Sequence, residues 1–163
     1  MGEVESVVGT TGKTLPHMRG PSMAQSVLVF KSGKSAIFES ILAPGAISNQ
    51  PFFSIQGSKG EIVLDGFEGG GRMYTEDAEA EGGLRCTPLR TEGWASGYAG
   101  EFADFARCIL EGGSPKAGAE EALADLKVML TLMKAGQTRR FESVADLEPD
   151  AHCGSLFKLR PSI

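Results

Sequence analysis

The fold of this chain is decided by residues 96–144, which read SGYAGEFADFARCILEGGSPKAGAEEALADLKVMLTLMKAGQTRRFESV. Apolar side chains recur there at helical spacing in two parts, and the glycine pair at 112–113 separates the parts. The apolar positions are Phe102, Phe105, Ala106 and Ile109 in the first part, and Ala122, Leu126, Met129, Leu130 and Met133 in the second. This pattern predicts two amphipathic helices, the second ending at Gly136, followed by a closing strand over residues 139–142.

The residues ahead of the helices alternate between apolar and polar, which is typical of strands. The predicted strands and turns are a first strand around Val4, Val7 and Val8, a loop over 9–21, a hairpin of 27–31 and 34–41 around the two residues Ser32 and Gly33, a hairpin of 52–56 and 61–65, and weaker strands over 72–75 and 84–89. We expect both hairpins to share one sheet. Strands followed by helices predict an α+β fold, an open and predominantly antiparallel sheet with helices packed on one face. We expect this domain to span 1–148, with a tail over 149–163.

Composition narrows the possible partners and the compartment. With 163 residues and a net charge of -5, the chain is long enough for an independent core and lacks the clustered basic surface of nucleic-acid binding proteins. Its three cysteines form no CxxC pair, which favours a reducing compartment, the cytoplasm or an organelle interior. No apolar run is long enough for a transmembrane helix, and the first residues do not resemble a signal peptide.

Nucleotide and metal motifs are incomplete in this sequence. The run Gly12-Lys13-Thr14 is similar to the end of a phosphate-binding loop, but Val7 stands where that motif needs glycine, and Leu15-Pro16 follows where a helix should begin. The glycines of residues 66–71 do not have the GxGxxG spacing. His17 and His152 are far apart and have no ligand-spaced neighbours. We therefore predict no catalytic, cofactor-binding or metal-binding residue in this chain.

Aromatic side chains offer an alternative kind of site. Tyr74, Trp94 and Tyr98 have flat faces of the kind that stack on sugar rings, although a structural role for each is the favoured interpretation.

Several segments, in order along the chain, resemble motifs of one enzyme family. Residues 27–33 resemble its "l-x-F-x-x-G" hairpin, residues 55–62 its "i-x-G-t-x-G-x-i" turn, and residues 98–105 its "Y-x-x-E-x-x-D-F" helix start. The remaining matches are the strand at 2–7, the joint at 113–115 and the second helix at 120–125. Together they resemble the C-terminal domain of the Gfo/Idh/MocA oxidoreductases, the family of glucose–fructose oxidoreductase and inositol dehydrogenase, without the N-terminal Rossmann domain.

The resemblance implies a two-domain enzyme whose Rossmann domain binds NAD or NADP, while this domain completes the substrate cleft and often pairs subunits. The family's GxGxxG motif, the lysine of its E-K-P motif and the histidine of its D-x-x-x-H helix would lie upstream of Met1. The chain is then expected to be the substrate-binding and dimerisation domain of an NAD(P)-dependent sugar or polyol oxidoreductase, not competent alone. The 9–21 loop would approach the cleft, so His17, Arg19 and Lys13 are the candidate contacts to substrate hydroxyls.

A second interpretation makes the chain a non-catalytic scaffold or accessory subunit derived from that domain. The open sheet face would then bind a different protein in a larger assembly. The run Pro21-Ser22-Met23-Ala24, where relatives often carry an acidic pair, favours this altered use. In either case the expected partners are a Rossmann domain, on a missing segment or a separate chain, and other protein subunits.

Overall fold

The computed structural model describes residues 1–42, 53–65, 70–90, 94–145 and 147. The elements within these ranges are β1 (Val4–Gly12), β2 (Met23–Phe30), β3 (Ser35–Ile41), β4 (Phe53–Gly57), β5 (Gly60–Leu64), β6 (Gly71–Glu76), β7 (Leu84–Leu89), α1 (Trp94–Glu111), α2 (Ala119–Thr138) and β8 (Glu142–Ser143). A single 3₁₀ turn, Glu81–Gly83, precedes β7. The predicted tail over 149–163, His152 and Phe52 lie outside the described residues.

The strands form two four-stranded sheets in which every pair is antiparallel. One has the order β3-β2-β1-β8 and the other β4-β5-β6-β7. The predicted α+β class with antiparallel sheets is confirmed. The expectation that the two hairpins share one sheet is wrong, because β2 pairs with β1 and β5 pairs with β6 instead of reaching the other hairpin.

The described elements belong to two compact units. The first contains β1, β2, β3, α2 and β8, and the second contains β4 to β7 and α1. In the first unit α2 packs against β1 and β8, and the core lies between the helix and the sheet. Its buried side chains are Val7, Ser22, Ser26, Phe30, Leu130, Thr131, Leu132, Ala135 and Leu147.

The β2–β3 turn is one residue longer than expected. Phe30 N–H donates to the carbonyl of Lys34 at 2.9 Å, and Gly33 N–H donates to the carbonyl of Phe30 at 2.8 Å. The loop therefore has three residues, and Gly33 occupies its left-handed position with φ of 77°. Glycine adopts that conformation without steric cost, as three-residue hairpins require.

The first strand extends further than its sequence suggested. Residues 9–12 were predicted to be loop, but they pair with β2 from Gly9↔Ser26 to Gly12↔Met23. Thr10 and Thr11 are β-branched and suit a strand. At Gly9 an added Cβ atom would lie 2.4 Å from the carbonyl oxygen of Gln25, so glycine allows the two strands to approach. The connection to β2 is consequently shorter than predicted.

Helix α2 covers the first sheet with a face that only partly matches the predicted stripe. Leu130 is buried as expected, whereas Leu126 and Met129 are exposed and the covered positions are Leu130, Thr131, Leu132 and Ala135. The predicted end at Gly136 is also wrong, because the helix continues to Thr138 and ends at Arg139 in the left-handed conformation. The closing strand accordingly starts at Glu142 instead of residue 139.

Helix α1 of the second unit ends as predicted, with Gly112 in the left-handed region directly after Glu111. Asp104 fixes the segment that follows. Its carboxylate accepts the backbone N–H of Lys116 at 2.8 Å and Nη2 of Arg107 at 2.9 Å. These two hydrogen bonds, the backbone one first, lower the pKa of Asp104. Asp104, the aspartate of the predicted Y-x-x-E-x-x-D-F helix motif, thus fixes the joint that follows α1.

The apolar stripe of α1 lies where the sequence placed it, but it is open to solvent. Phe102, Phe105 and Ile109 are 73%, 62% and 68% exposed.

Candidate functional site

The loop between β1 and β2 is held in place by the hydroxyl of Ser22, which is buried. Its Oγ accepts the backbone N–H groups of Thr14 at 2.7 Å and Leu15 at 3.1 Å. It also shares a 2.7 Å hydrogen bond with Oγ1 of Thr14, whose own proton goes to the carbonyl of Leu42 at 2.5 Å. With these contacts the Ser22 hydroxyl uses its donor and both acceptor positions, so the loop has a defined shape.

A cavity of about 310 Å³ opens beside this loop within the first unit. Three parts of the chain contribute its walls: the end of β1, the loop itself and the last two turns of α2. The lining residues are Thr11, Gly12, Lys13, Arg19, Gly20, Pro21, Met133 and Gln137. The volume is at the lower end of the range of about 300 to 1,000 Å³ that is common for small-molecule sites.

The close approach of α2 to β1 positions two walls of the cavity. A Cβ atom at Gly136 would lie 2.5 Å from Oγ1 and 2.8 Å from Cγ2 of Thr11, distances that no side chain tolerates. Glycine at this position therefore lets the helix backbone rest directly on Thr11. Gln137, the next residue, lines the cavity together with Thr11 as a result.

An ion pair fixes the same end of α2 to β8. Nζ of Lys134 lies 2.7 Å from Oε2 of Glu142, and the two side chains are 27% and 14% exposed. Hydrogen bonds from Lys134 and then Thr138 lower the pKa of Glu142. Lys134 is thereby neutralised by a partner of its own, and the charged groups that line the cavity are Lys13 and Arg19.

Two of the three predicted contact residues line this cavity. Lys13 and Arg19 are part of its wall, whereas His17 is exposed on the same loop and is not among the lining residues. A role for any of the three in substrate binding stays a prediction.

The sequence missed Thr11, Met133 and Gln137 as part of this site. Thr11 had been assigned to the loop, Met133 to the core stripe, and Gln137 to the residues beyond the helix. A longer strand would have included Thr11 and a longer helix Gln137, whereas Met133 already lay within the predicted helix.

The two tyrosines of the predicted aromatic alternative lie on different elements of the second unit. Tyr74 is half-buried on β6 opposite Cys86. Burial raises the pKa of its hydroxyl, although the positive charge of Arg72 acts to lower it. Tyr98 is exposed on α1 in the same unit. The side chain of Trp94 lies outside the described residues.

A dinucleotide does not fit the described residues. The pyrophosphate of NAD or NADP is normally held where a strand runs through a glycine-rich turn into a helix N-terminus. Here Gly12 and Lys13 lead into a loop and then into β2, so no helix dipole faces the turn. The part of the chain that the structure describes also has no group of three or more His, Cys, Asp or Glu side chains suited to a metal ion.

A family model matches residues 1–145 and is described as the oxidoreductase family, C-terminal alpha/beta domain, of Gfo/Idh/MocA type. The chain belongs to this family. The match includes every element from β1 to β8 and therefore confirms the resemblance found in the sequence motifs. The family is that of NAD(P)-dependent oxidoreductase C-terminal domains.

Solved structures share the fold of this C-terminal domain. Levoglucosan dehydrogenase, in complex with NADH and levoglucosan, has a TM-score of 0.73 with 17% identity, over 88% of this chain and 45% of its own. An NAD-binding oxidoreductase from Klebsiella pneumoniae has a TM-score of 0.72 with 16% identity, over 87% of this chain and 46% of its own. An oxidoreductase from Agrobacterium radiobacter, in complex with NAD+, L-tartaric acid and magnesium, has a TM-score of 0.68 with 13% identity, over 88% and 44%.

The chain spans less than half the length of each of these structures. At such identities the similarity establishes the fold alone. A search of curated proteins finds no match. Neither helix in the described ranges combines the length and the apolar character that crossing a membrane requires.

Proposed function

We propose that this chain is the substrate-binding and dimerisation domain of an NAD(P)-dependent sugar or polyol oxidoreductase. The observation that carries the proposal is the family match over residues 1–145. The dinucleotide would be bound by a Rossmann domain, because the described residues lack a strand-turn-helix site for it. Levoglucosan dehydrogenase, which shares the fold, is a relative with a sugar-derived ligand.

The cavity beside the β1–β2 loop is the substrate site in this proposal. Polar groups at its wall, the hydroxyl of Thr11 and the amide of Gln137, suit the hydroxyl groups of a polyol. Met133 offers an apolar surface for the C–H face of the same ligand. The Ser22 hydrogen bonds keep the loop ordered before binding, which reduces the entropic cost of placing Lys13 and Arg19.

The uncovered face of the first sheet is the dimerisation surface in this proposal. Strand alternation places Val7, Gly9 and Thr11 toward α2, and so places Val8 on the opposite face. The apolar residues that the register puts on that opposite face are Val8, Met23, Val27, Val29, Ile37 and Ile41. Ile37 is 86% exposed, an unusual position for a large apolar side chain unless another subunit covers it.

A second candidate function is that of a non-catalytic scaffold or accessory subunit. It is favoured by the open stripe of α1, where Phe102, Phe105 and Ile109 form an apolar surface in addition to the sheet face. Such a subunit would bind other proteins through these surfaces and would not need a Rossmann domain.

Purification of the protein from its source distinguishes the two functions. For the enzyme we expect a polypeptide with a Rossmann segment, or a complex containing one, that reduces NAD+ or NADP+ with a sugar or polyol. Stoichiometric recovery in a complex without dehydrogenase turnover would instead support the accessory subunit. The isolated 163-residue chain should not change the fluorescence of micromolar NADH, and tight binding would contradict the proposed division between two domains.

A further inference from the structure

The cavity beside the β1–β2 loop has an uneven distribution of charge. Lys13 and Arg19 line it, and no carboxylate of the described residues does. The ion pairs found among the described residues involve Lys31, Arg72, Arg85, Arg107 and Lys134, and so leave Lys13 and Arg19 without a carboxylate partner there. The lysine ammonium and the arginine guanidinium each carry a positive charge. Their charges are therefore available to a ligand.

The sequence around the cavity excludes negative charge over a long stretch. Residues 9–38 contain no aspartate or glutamate, although the whole chain has 21 of them and a net charge of -5. The last acidic residue of α2 is Asp125, two turns or more before the lining residues Met133 and Gln137. Neither residues 9–38 nor the part of α2 that lines the cavity therefore carries a carboxylate.

The C-terminal end of α2 carries a partial negative charge, which disfavours an anion in the cavity, but this charge is smaller than that of the two cations. Met133 and Gln137 lie in the last turns of the helix, where the macrodipole is equivalent to roughly half a negative charge. Two full positive charges from Lys13 and Arg19 exceed that partial charge. Arg139 and Arg140 follow the helix directly and offset it further.

We propose that the cavity binds a small hydroxylated anion, whose carboxylate or phosphate group pairs with Lys13 and Arg19. This inference rests on the proposed function for the location of the substrate site and specifies the class of substrate. A guanidinium group pairs with the two oxygens of a carboxylate or phosphate in parallel, and an ammonium group acts as a point charge beside it. The remaining hydroxyls of the ligand would meet Thr11 and Gln137.

Paired ligands test the charge requirement on the full chain. D-gluconate and D-glucitol have the same carbon skeleton, as do D-glucose 6-phosphate and D-glucose, and only the first of each pair is an anion. Isothermal titration calorimetry should show that at least one anion binds roughly tenfold tighter than its neutral partner. The two pairs also distinguish a carboxylate from a phosphate as the preferred group.

Matched variants test the assignment to Lys13 and Arg19. Lys13→Gln and Arg19→Gln should each weaken binding of the preferred anion roughly tenfold and should weaken binding of its neutral partner much less, because glutamine keeps a hydrogen-bond donor and loses only the charge. Lys34→Gln removes the same charge at the opposite end of β2 and β3, roughly 20 Å away by strand rise, and should change the affinity less than about twofold.

Three results would overturn the inference. The first is equal affinity for an anion and its neutral partner. The second is a loss of anion affinity in Lys34→Gln as large as the loss in Lys13→Gln or Arg19→Gln. The third is no detectable binding of either anion. Binding of the neutral polyol with no tighter binding of either anion would reject the anion while the proposed substrate site stands. Anion binding by a source complex without sugar or polyol oxidation would reject the enzyme while the anion site stands.

Discussion

Gly136 is the residue that sets the distance between helix α2 and strand β1. The substitution Gly136→Ala should lower the free energy of unfolding by about 1 to 2 kcal/mol, because the new methyl group overlaps Thr11. The gain in helix propensity, about 1 kcal/mol, offsets only part of that overlap. Urea unfolding followed by circular dichroism measures the difference.

Gly100→Ala is the matched control for this prediction. Gly100 lies inside α1, and a Cβ atom there meets nothing within 4 Å. The same substitution should therefore raise stability by about 0.5 to 1 kcal/mol. If both alanine variants were stabilised alike, close packing at Gly136 would be disproved.

Ser22 illustrates what the sequence cannot tell at the scale of one residue. A serine among glycine, proline and methionine reads as an ordinary loop residue, and its role depends on Thr14 and Leu15, which fold back onto it. Lys13 and Arg19 were easier to select, since charged side chains on a loop are candidates without any knowledge of packing. Their location at one cavity required the structure.

At the scale of elements, the pair formed by Lys134 and Glu142 connects α2 to β8. The lowered pKa of Glu142 means that the folded state favours the ionised carboxylate. The resulting stability is present above the unfolded pKa of about 4.5 and is lost as the pH falls through the lower, folded pKa. Glu142→Gln should therefore destabilise the protein at pH 7, by up to about 1 kcal/mol because solvent screens the partly exposed pair.

A pH series of urea unfolding checks this expectation. The stability difference between wild type and Glu142→Gln should shrink below pH 4.5. Glu79→Gln, which changes an exposed carboxylate between β6 and β7, serves as the control and should show little difference at any pH. If the difference in unfolding free energy between wild type and Glu142→Gln increased as the pH was lowered, this mechanism would be contradicted.

The existence and order of the elements were predictable, but the covered face of α2 was not. The helix carries a second stripe, Val128, Leu132, Ala135 and Gly136, beside the predicted one. Thr131 makes the second stripe look polar, yet its hydroxyl donates to the carbonyl of Lys127 at 2.7 Å and can therefore be buried. The sheet selected this stripe because only Gly136 allows close contact with Thr11.

At the scale of the whole molecule, the proposed dimer predicts the effect of one charge on the open sheet face. Ile37→Glu should convert a dimer into monomers in sedimentation velocity experiments, because a buried and unpaired carboxylate at an interface is strongly unfavourable. Ser32→Glu adds the same charge in the β2–β3 turn and should leave the oligomeric state unchanged. A monomeric wild type, or equal dissociation by both variants, would contradict dimerisation through this face.

The pairing of strands into two sheets is the largest feature that the sequence did not predict. Alternation in β2, β3, β4 and β5 indicates which side chains share a face, but it does not say which strands meet across a connection of more than ten residues. The family motifs could be recognised because they are local turns and helix starts. Partner choice between hairpins is a long-range property and leaves no local signal.

The walls of the cavity are drawn from the end of β1, the following loop and the end of α2, segments that must come together for the first unit to fold. By thermodynamic linkage, a ligand that binds in the cavity of the folded unit stabilises that unit against unfolding. At a free concentration a hundred times its dissociation constant, such a compound would add about 2.7 kcal/mol to native stability if it bound only the folded form. Availability of the compound in the cell would thus govern how much intact protein escapes proteolysis.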